Sequence, residues 1–384
     1  MASKTTYDVV VIGAGVFGSW TALCLRRGGR HVALVDAYGP GNARASSGGE
    51  SRLIRMGYGA DELYTRWSAR SLVLWKEFFA RVNKPLFHQT GILFIAGEKN
   101  EFARASREVL ERVGVKHEVL NRNELEAQFP QINFGNAAWG FFEPESGVLM
   151  ARRAVAAVVE AAIAEGVDYF QEFISAPANA GRAASIRTSS GQEIHAAEFV
   201  FACGPWLRKV FPRLLGGRIF VTRQEVYFFG VPAGDRRFAP PQMPGWLFQD
   251  DLIYGVPDLE SRGFKIAPDR HGPPFDPDNG VRVPEMTGIE AMRIYLAERF
   301  PALAQAPLVE ARVCQYENTS NGDFLVDRHP EHENVWLVGG GSGHGFKHGP
   351  AMGEYVAARL TGTAPGEPRF SLATKETSQR RTVY

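Results

Sequence analysis

Short apolar runs followed by glycine turns mark both ends of the chain. Asp8-Val-Val-Val-Ile12 leads into Gly13-Ala-Gly-Val-Phe-Gly18, and Val16 to Arg27 then carries apolar residues at helical spacing until Gly28 and Gly29 stop it. His31-Val-Ala-Leu-Val35 is a second buried strand, and it ends in Asp36. Near the other end, Val335-Trp-Leu-Val338 reads as a strand, Gly339 to Lys347 as a glycine loop, and Pro350 opens a helix at its first turn. Between them the pattern changes several times. Asp61 to Val82 is an amphipathic helix capped by Asp61, with Leu63, Trp67, Leu72, Trp75 and Phe79 facing the core. From Leu86 come the strand Gly91-Ile-Leu-Phe-Ile95, a helix from about Glu101 to Val113 and an Asn123-capped segment before Phe129-Pro130. Gly147-Val-Leu-Met150 leads into a helix from Ala151 to Glu165; Asp168 to Gln171 and Ile186 to Thr188 are short strands, with a hairpin turn near Gly191. Glu198-Phe-Val-Phe-Ala202 is another buried strand, closed by Cys203-Gly-Pro-Trp206. From Arg218 to about Ala311, short strands (Val226 to Phe229, Leu252 to Gly255, Gly263 to Ala267) alternate with Pro-rich turns, as in an antiparallel sheet facing a pocket.

The first thirty-odd residues carry a mechanical signature. Gly13 allows a tight turn, Gly15 lets a backbone approach a pyrophosphate at the positive helix end, and Gly18 lets helix and strand pack closely. Asp36, about 20 residues beyond the last glycine, is placed to accept from a ribose diol. This pattern predicts dinucleotide binding without distinguishing FAD from NAD. The strand, glycine loop and helix at the C-terminal end predict that the chain leaves this nucleotide fold for a mixed domain and then returns to it.

Composition narrows the partners. Lys and Arg number 43 against 42 Asp and Glu, so no strong field favours nucleic acid or an anionic membrane, and a small-molecule partner is expected. No apolar run approaches roughly 18 residues and the N-terminal strand is too short for a signal peptide, which predicts a cytoplasmic protein. Cys24, Cys203 and Cys314 are too few and too scattered for a disulfide framework or a zinc site. The loop from Gly39 to Arg52 is small, polar and glycine-rich, suited to lying flat against a ligand; Arg52 and Arg55 behind it are either ligand-facing or solvated. Lys265 is a lone cation between Phe264 and Ile266 on a strand and so points to the opposite face. Either it faces solvent or it serves a site.

Four motifs in order, Glu50-Ser-Arg-Leu-Ile-Arg55, Cys314-Gln-Tyr316, Asp327-Arg-His-Pro-Glu331 and Gly343-His-Gly-Phe-Lys347, make the chain resemble the monomeric sarcosine oxidase and N-methyltryptophan oxidase family of FAD-dependent amine oxidases over nearly its whole length. The resemblance implies an α/β protein: a Rossmann-like FAD-binding domain from residues 1–85, 150–217 and 312–384, and a substrate domain on a mixed, largely antiparallel sheet from 86–149 and 218–311. It implies oxidation of a secondary amine or amino acid by molecular oxygen, giving an imine and hydrogen peroxide, in a monomer. By the same resemblance Cys314 forms a thioether to the flavin 8α carbon, Lys265 promotes the reaction with oxygen, and Arg52 lies near the flavin face. Arg55 and Lys347 clamp a substrate carboxylate, and Tyr316 lines the substrate cavity. Ser46, Ser51, Gly343, His344, Phe346 and Lys347 join Gly13, Gly15, Gly18 and Asp36 at the cofactor, with His344 alternatively structural. Two departures mark the substrate side. Ser47 and Gly48 stand where the family commonly has two histidines, opening space at the substrate, and Asp269 stands where a histidine is frequent. Asp269 is either a contact for a cationic or hydroxylated substrate or a solvated turn residue.

Overall fold

The computed structural model describes residues 6–380. A 7-stranded sheet forms one layer, in the order Leu325–Arg328, Val335–Gly339, Glu193–Phe201, Thr6–Ile12, Val32–Val35, Asp168–Phe170, with Ser185–Arg187 paired to Glu193–Phe201. Its inner strands run parallel. Val32–Val35 is buried throughout, as expected of a strand covered on both faces. Helix Val16–Arg27 packs against Gly349–Leu360 and Ala151–Ala164, so the first and last segments of the chain share one core. Gly13 turns out of the first strand with φ +107, and a Cβ there would lie 2.3 Å from the Ala202 carbonyl oxygen. A side chain is therefore excluded twice, by backbone strain and by the neighbouring strand.

The second layer is an 8-stranded sheet, in the order Leu308–Thr319, Ile219–Phe229, Phe264–Pro268, Ile253–Val256, Gly245–Phe248, Ile92–Ala96, Trp139–Glu143, Glu118–Asn121. Its pairs are antiparallel except for Gly245–Phe248 with Ile92–Ala96. The boundary expected at residue 312 thus falls inside the strand Leu308–Thr319, which pairs along its length with Ile219–Phe229. A small 3-stranded sheet, Arg52–Ile54, Gly147–Leu149 and Phe87–His88, links the layers.

Three local expectations need correction. The short helix Arg122–Gln128 is capped by Asn121, not Asn123, because Asn121 and Glu124 complete a reciprocal capping box. Asp61 stands at the N-cap position of Glu62–Arg81 but makes no cap hydrogen bond; its carboxylate pairs with Arg369 instead, Nη2 to Oδ2 at 2.6 Å. Within 218–311, where short strands are expected, Met286–Arg299 is a helix. It buries Ile289, Met292 and Leu296 but exposes Met286 and Ile294, so its apolar residues do not form one clean stripe.

Candidate active site and cofactor cavity

A cavity of about 660 Å³ opens at the carboxyl ends of the parallel strands, lined among others by Gly13, Gly15, Asp36, Ser46, Ser47 and Glu317. Cavities of this size at this place suit a cofactor. Gly15 is the N-cap of Val16–Arg27, whose first turn carries no acidic residue, and a Cβ on Gly15 would meet nothing nearer than Ser47 Oγ at 3.5 Å. The helix end is therefore open to an anion on its cavity side. Ser47 Oγ accepts from the Val16 N–H at 3.1 Å and fixes the polar loop over that end. Gly18 has the packing role expected, since a Cβ there would strike the Gly13 oxygen at 1.8 Å.

Asp36 has a more local first job. Its carboxylate accepts from the N–H groups of Ala14 at 2.7 Å, Tyr38 at 2.9 Å and Gly39 at 2.8 Å, tying the glycine turn to the end of the second strand. Burial raises its pKa, and the three N–H groups oppose the rise. Oδ1 takes two of these donors and Oδ2 one, so of roughly four lone-pair sites one remains, on Oδ2, for a ribose hydroxyl. Ser46 and Glu317 line this cavity, and one oxygen of each, Ser46 Oγ and Glu317 Oε1, is buried without a hydrogen-bond partner. An open helix end, a carboxylate with spare capacity and lining side chains with unpartnered oxygens fit FAD, with its pyrophosphate and hydroxylated chains.

A smaller cavity of about 70 Å³ adjoins the first and shares Arg52, Tyr316, Gly343 and Phe346 with it. Arg52 is held by its own loop: Nη1 donates to Ser51 O at 2.8 Å and Nη2 to Ser46 O at 2.9 Å. Nη2 also lies 3.4 Å from Cys314 Sγ. Lys265 is only 1% exposed, so the solvent-facing alternative fails; Phe264 and Ile266 join the opposite core as the alternation requires. Its Nζ donates to Ser51 O at 3.1 Å and stands 5.5 Å from the Tyr254 ring centroid. Lys265 therefore stands behind Arg52 and lines neither cavity. Burial, with Arg52 beside it, pulls its pKa down to about 7. Ser51 likewise lines neither cavity; its carbonyl is the point where the two cations converge.

Arg55 and Lys347 meet around Tyr58. Arg55 Nη1 donates to Gly57 O and its Cζ lies 4.8 Å from the Tyr58 ring centroid; Lys347 Nζ donates to Tyr58 Oη at 2.7 Å and to His344 O at 3.1 Å. Burial and then Arg55 push the Lys347 pKa well below its usual value, against the opposing pull of Asp269 and Glu143. Asp269 is no solvated turn residue: its Oδ1 accepts from Tyr316 Oη at 2.8 Å, and both side chains line the small cavity. Burial raises the Asp269 carboxyl, opposed by Tyr316, Arg55 and Lys347; burial and Asp269 raise Tyr316 well above the ordinary phenol. Gly343 takes φ +79 directly against Tyr316, where a Cβ would lie 2.8 Å from Cε2. His344 faces the small cavity but is engaged with Gly322 O at 3.1 Å and Tyr58 Oη at 3.3 Å, in keeping with a structural role. Phe346 stacks on Trp75 at 6.0 Å, and Trp75 Nε1 donates to Lys347 O at 3.0 Å. The aromatic face of the long helix thus positions the lysine loop from beneath. Gly48, expected at the substrate, lines neither cavity: a Cβ there would strike Asn42 O at 1.9 Å, so this glycine closes a loop turn.

Tyr58, Glu143 and Glu317 escape the sequence reading. Tyr58 lies three residues after Arg55 and Glu143 ends the apolar run Trp139-Gly-Phe-Phe-Glu143, the one available signal that its charge has partners. Glu143 accepts from Met56 N at 2.9 Å, Gly57 N at 2.8 Å and Ser146 Oγ, bracing the segment behind Arg55. Asp327, from the Asp327 to Glu331 motif, holds the C-terminal segment through Ser371 Oγ and Leu372 N, both 2.8 Å from Oδ2. Among the described residues no group of three or more His, Cys, Asp or Glu side chains is arranged to hold a metal ion, and no helix is long and apolar enough to cross a membrane.

Residues 8–359 match the family model described as FAD dependent oxidoreductase. The chain is 30% identical to monomeric sarcosine oxidase of Bacillus sp. (strain B-0618), over 99% of this chain and 100% of that protein. It is 27% identical to N-methyl-L-tryptophan oxidase of Salmonella heidelberg (strain SL476), over 94% and 96% respectively. Among solved structures, L-proline dehydrogenase from P. horikoshii superposes with a TM-score of 0.83 at 20% identity, covering 96% of this chain and 97% of that one, a likeness of fold. The cavity built for a dinucleotide and the full-length match agree, and the chain belongs to the family of FAD-dependent oxidoreductases.

Proposed function

We propose that this enzyme oxidises a small secondary amine bearing a carboxylate, an N-substituted amino acid, with oxygen as acceptor. The observation that carries this reading is the pairing of Arg55 and Lys347 beside Tyr58, in a small cavity that shares its Arg52, Tyr316, Gly343 and Phe346 walls with the cofactor cavity. The names of the relatives, sarcosine oxidase and N-methyl-L-tryptophan oxidase, support the same substrate class. When bound, the flavin would supply the two-electron chemistry that takes the substrate amine to an imine and passes the electron pair to oxygen as hydrogen peroxide.

The chain's own residues do the rest. A guanidinium fork and an ammonium bind the carboxylate and orient the amine, and an arriving anion restores the charge that burial takes from Lys347. Asp269, bonded to Tyr316, offers its remaining acceptor capacity to an N–H or hydroxyl of the substrate and so sets specificity. The volume of about 70 Å³ favours a compact side chain. Lys265, held on Ser51 O behind Arg52, supplies a positive charge for the oxygen reaction that is full only below about pH 7. Cys314, on the wall of the small cavity beside Arg52 Nη2, would hold the flavin through a thioether. Gly343, His344 and Phe346 bring the lysine loop to the junction of the cavities. A cytoplasmic monomer completes the reading, the first relative being named monomeric.

The test is oxygen uptake and peroxide formation across a panel of primary, secondary and N-methyl amino acids and their descarboxy amines. Peroxide with small N-substituted amino acids, and little with the descarboxy amines, is expected. Turnover with an artificial dye but no peroxide with any amine would overturn the oxidase assignment.

A further inference from the structure

Glu317 lies one residue beyond Tyr316 on the strand Leu308–Thr319 and lines the large cavity but not the small one. It is 6% exposed, and its Oε1 has no hydrogen-bond partner. Its carboxylate occupies space left by glycines at the ends of two parallel strands. A Cβ on Gly339 would lie 2.5 Å from Oε1, and one on Gly204 4.0 Å from Oε2. Gly204 follows Cys203, whose backbone abuts the Gly13 turn. Glu317 therefore stands between the glycine turn, which would hold a pyrophosphate, and the Tyr316 wall, where the reacting end would lie. The part of FAD that spans those points is the ribityl chain, a run of hydroxyl donors.

We propose that Glu317 is a cofactor-binding residue whose carboxyl group accepts a hydrogen bond from a ribityl hydroxyl of FAD, and so fixes the distance between the pyrophosphate and the reacting ring. A carboxyl group nine-tenths buried with an orphaned oxygen is costly unless a ligand supplies the donor. Burial pushes Glu317 up to about 7, only partly offset by the N–H groups of Gly340 and Gly341. A hydroxyl donor removes the deficit, whereas an apolar ligand surface does not.

The test measures reversible FAD binding by the full-length apoprotein in a Cys314→Ala background, where attachment through that sulfur is impossible, by quenching of flavin fluorescence. Glu317→Leu is expected to weaken FAD about tenfold or more, while Glu317→Gln, which keeps an acceptor oxygen, stays within about threefold of the parent. FAD analogues lacking single ribityl hydroxyls locate the donor: one of them should bind the parent about tenfold more weakly than FAD and lose no further affinity in the leucine variant. Equal binding of FAD by parent and leucine variant overturns the inference. Should the leucine variant not fold, equal affinity of the parent for FAD and for every deoxy analogue overturns it alone. The inference rests on FAD as the cofactor, and failure of the parent itself to quench FAD would strike that reading instead.

Discussion

Lys265 shows how a single side chain passes from pattern to chemistry. Period-2 alternation places it opposite Phe264 and Ile266, and the structure buries it against Ser51 O beside Arg52. If its charge assists the oxygen reaction, Lys265→Met should slow reoxidation by oxygen roughly 10²–10³-fold while leaving reduction by substrate nearly unchanged, read by stopped-flow absorbance of the two half-reactions. The sign of the pH effect follows from a lowered ammonium pKa of about 7: the charged form is full below that pH and lost above it. Reoxidation should therefore slow as pH rises past neutrality, and the methionine variant should be flat. The carboxylate clamp makes a second residue-scale prediction. Arg55→Ala or Lys347→Ala should each cost about 2–5 kcal/mol in binding a carboxylate inhibitor, measured by flavin difference spectra. Wild-type affinity in both variants would remove the clamp. At this scale Arg52, Arg55, Lys265, Asp269, Tyr316 and Lys347 could be singled out as candidates because charge on apolar strands and specific motifs mark them in the sequence. Tyr58 and Glu143 were not, since what reveals them is contact with Lys347 Nζ and with Met56 N, made across 289 and 87 residues of chain.

At the scale of elements, the strand–turn–helix at Gly13 and its echo at Gly339 to Leu360 were readable because local periodicity and glycine turns define them without distant partners. Helix Met286–Arg299 was misread because its apolar residues scatter around its surface, and the pairing of Leu308–Thr319 with Ile219–Phe229 was invisible because register between distant strands has no local signal. That pairing matters: it brings Cys314 to the small cavity, Glu317 to the large one and Tyr316 to the wall they share. The loop meets this strand at Gly343, whose φ of +79 and 2.8 Å approach to Tyr316 leave no space for a methyl group. Gly343→Ala should destabilise the protein by about 1–3 kcal/mol, seen as a lower melting temperature, and should displace the Tyr316 ring from Asp269. An unchanged melting temperature with unchanged substrate affinity would show that the loop yields without cost.

Across the whole molecule, two sheets meet so that a large cavity that fits FAD and a smaller one share one wall. The nucleotide half is built from both ends of the chain, which the repeated strand–glycine–helix pattern foretold. The relation between the halves, and the place of Arg52 on a linking strand, became visible only in three dimensions. Covalent attachment is a prediction at this scale, since it makes the cofactor part of the fold: acid-precipitated protein should keep its yellow colour, and Cys314→Ala should lose it. A colourless wild-type pellet would exclude the thioether. The most direct measurement of the central claim is an anaerobic spectral titration of the purified flavoprotein with a small N-methyl amino acid. One equivalent should bleach the flavin absorbance, and admission of air should restore it with one equivalent of hydrogen peroxide; persistence of the oxidised spectrum with every secondary amine acid, or recovery without peroxide, would contradict the account.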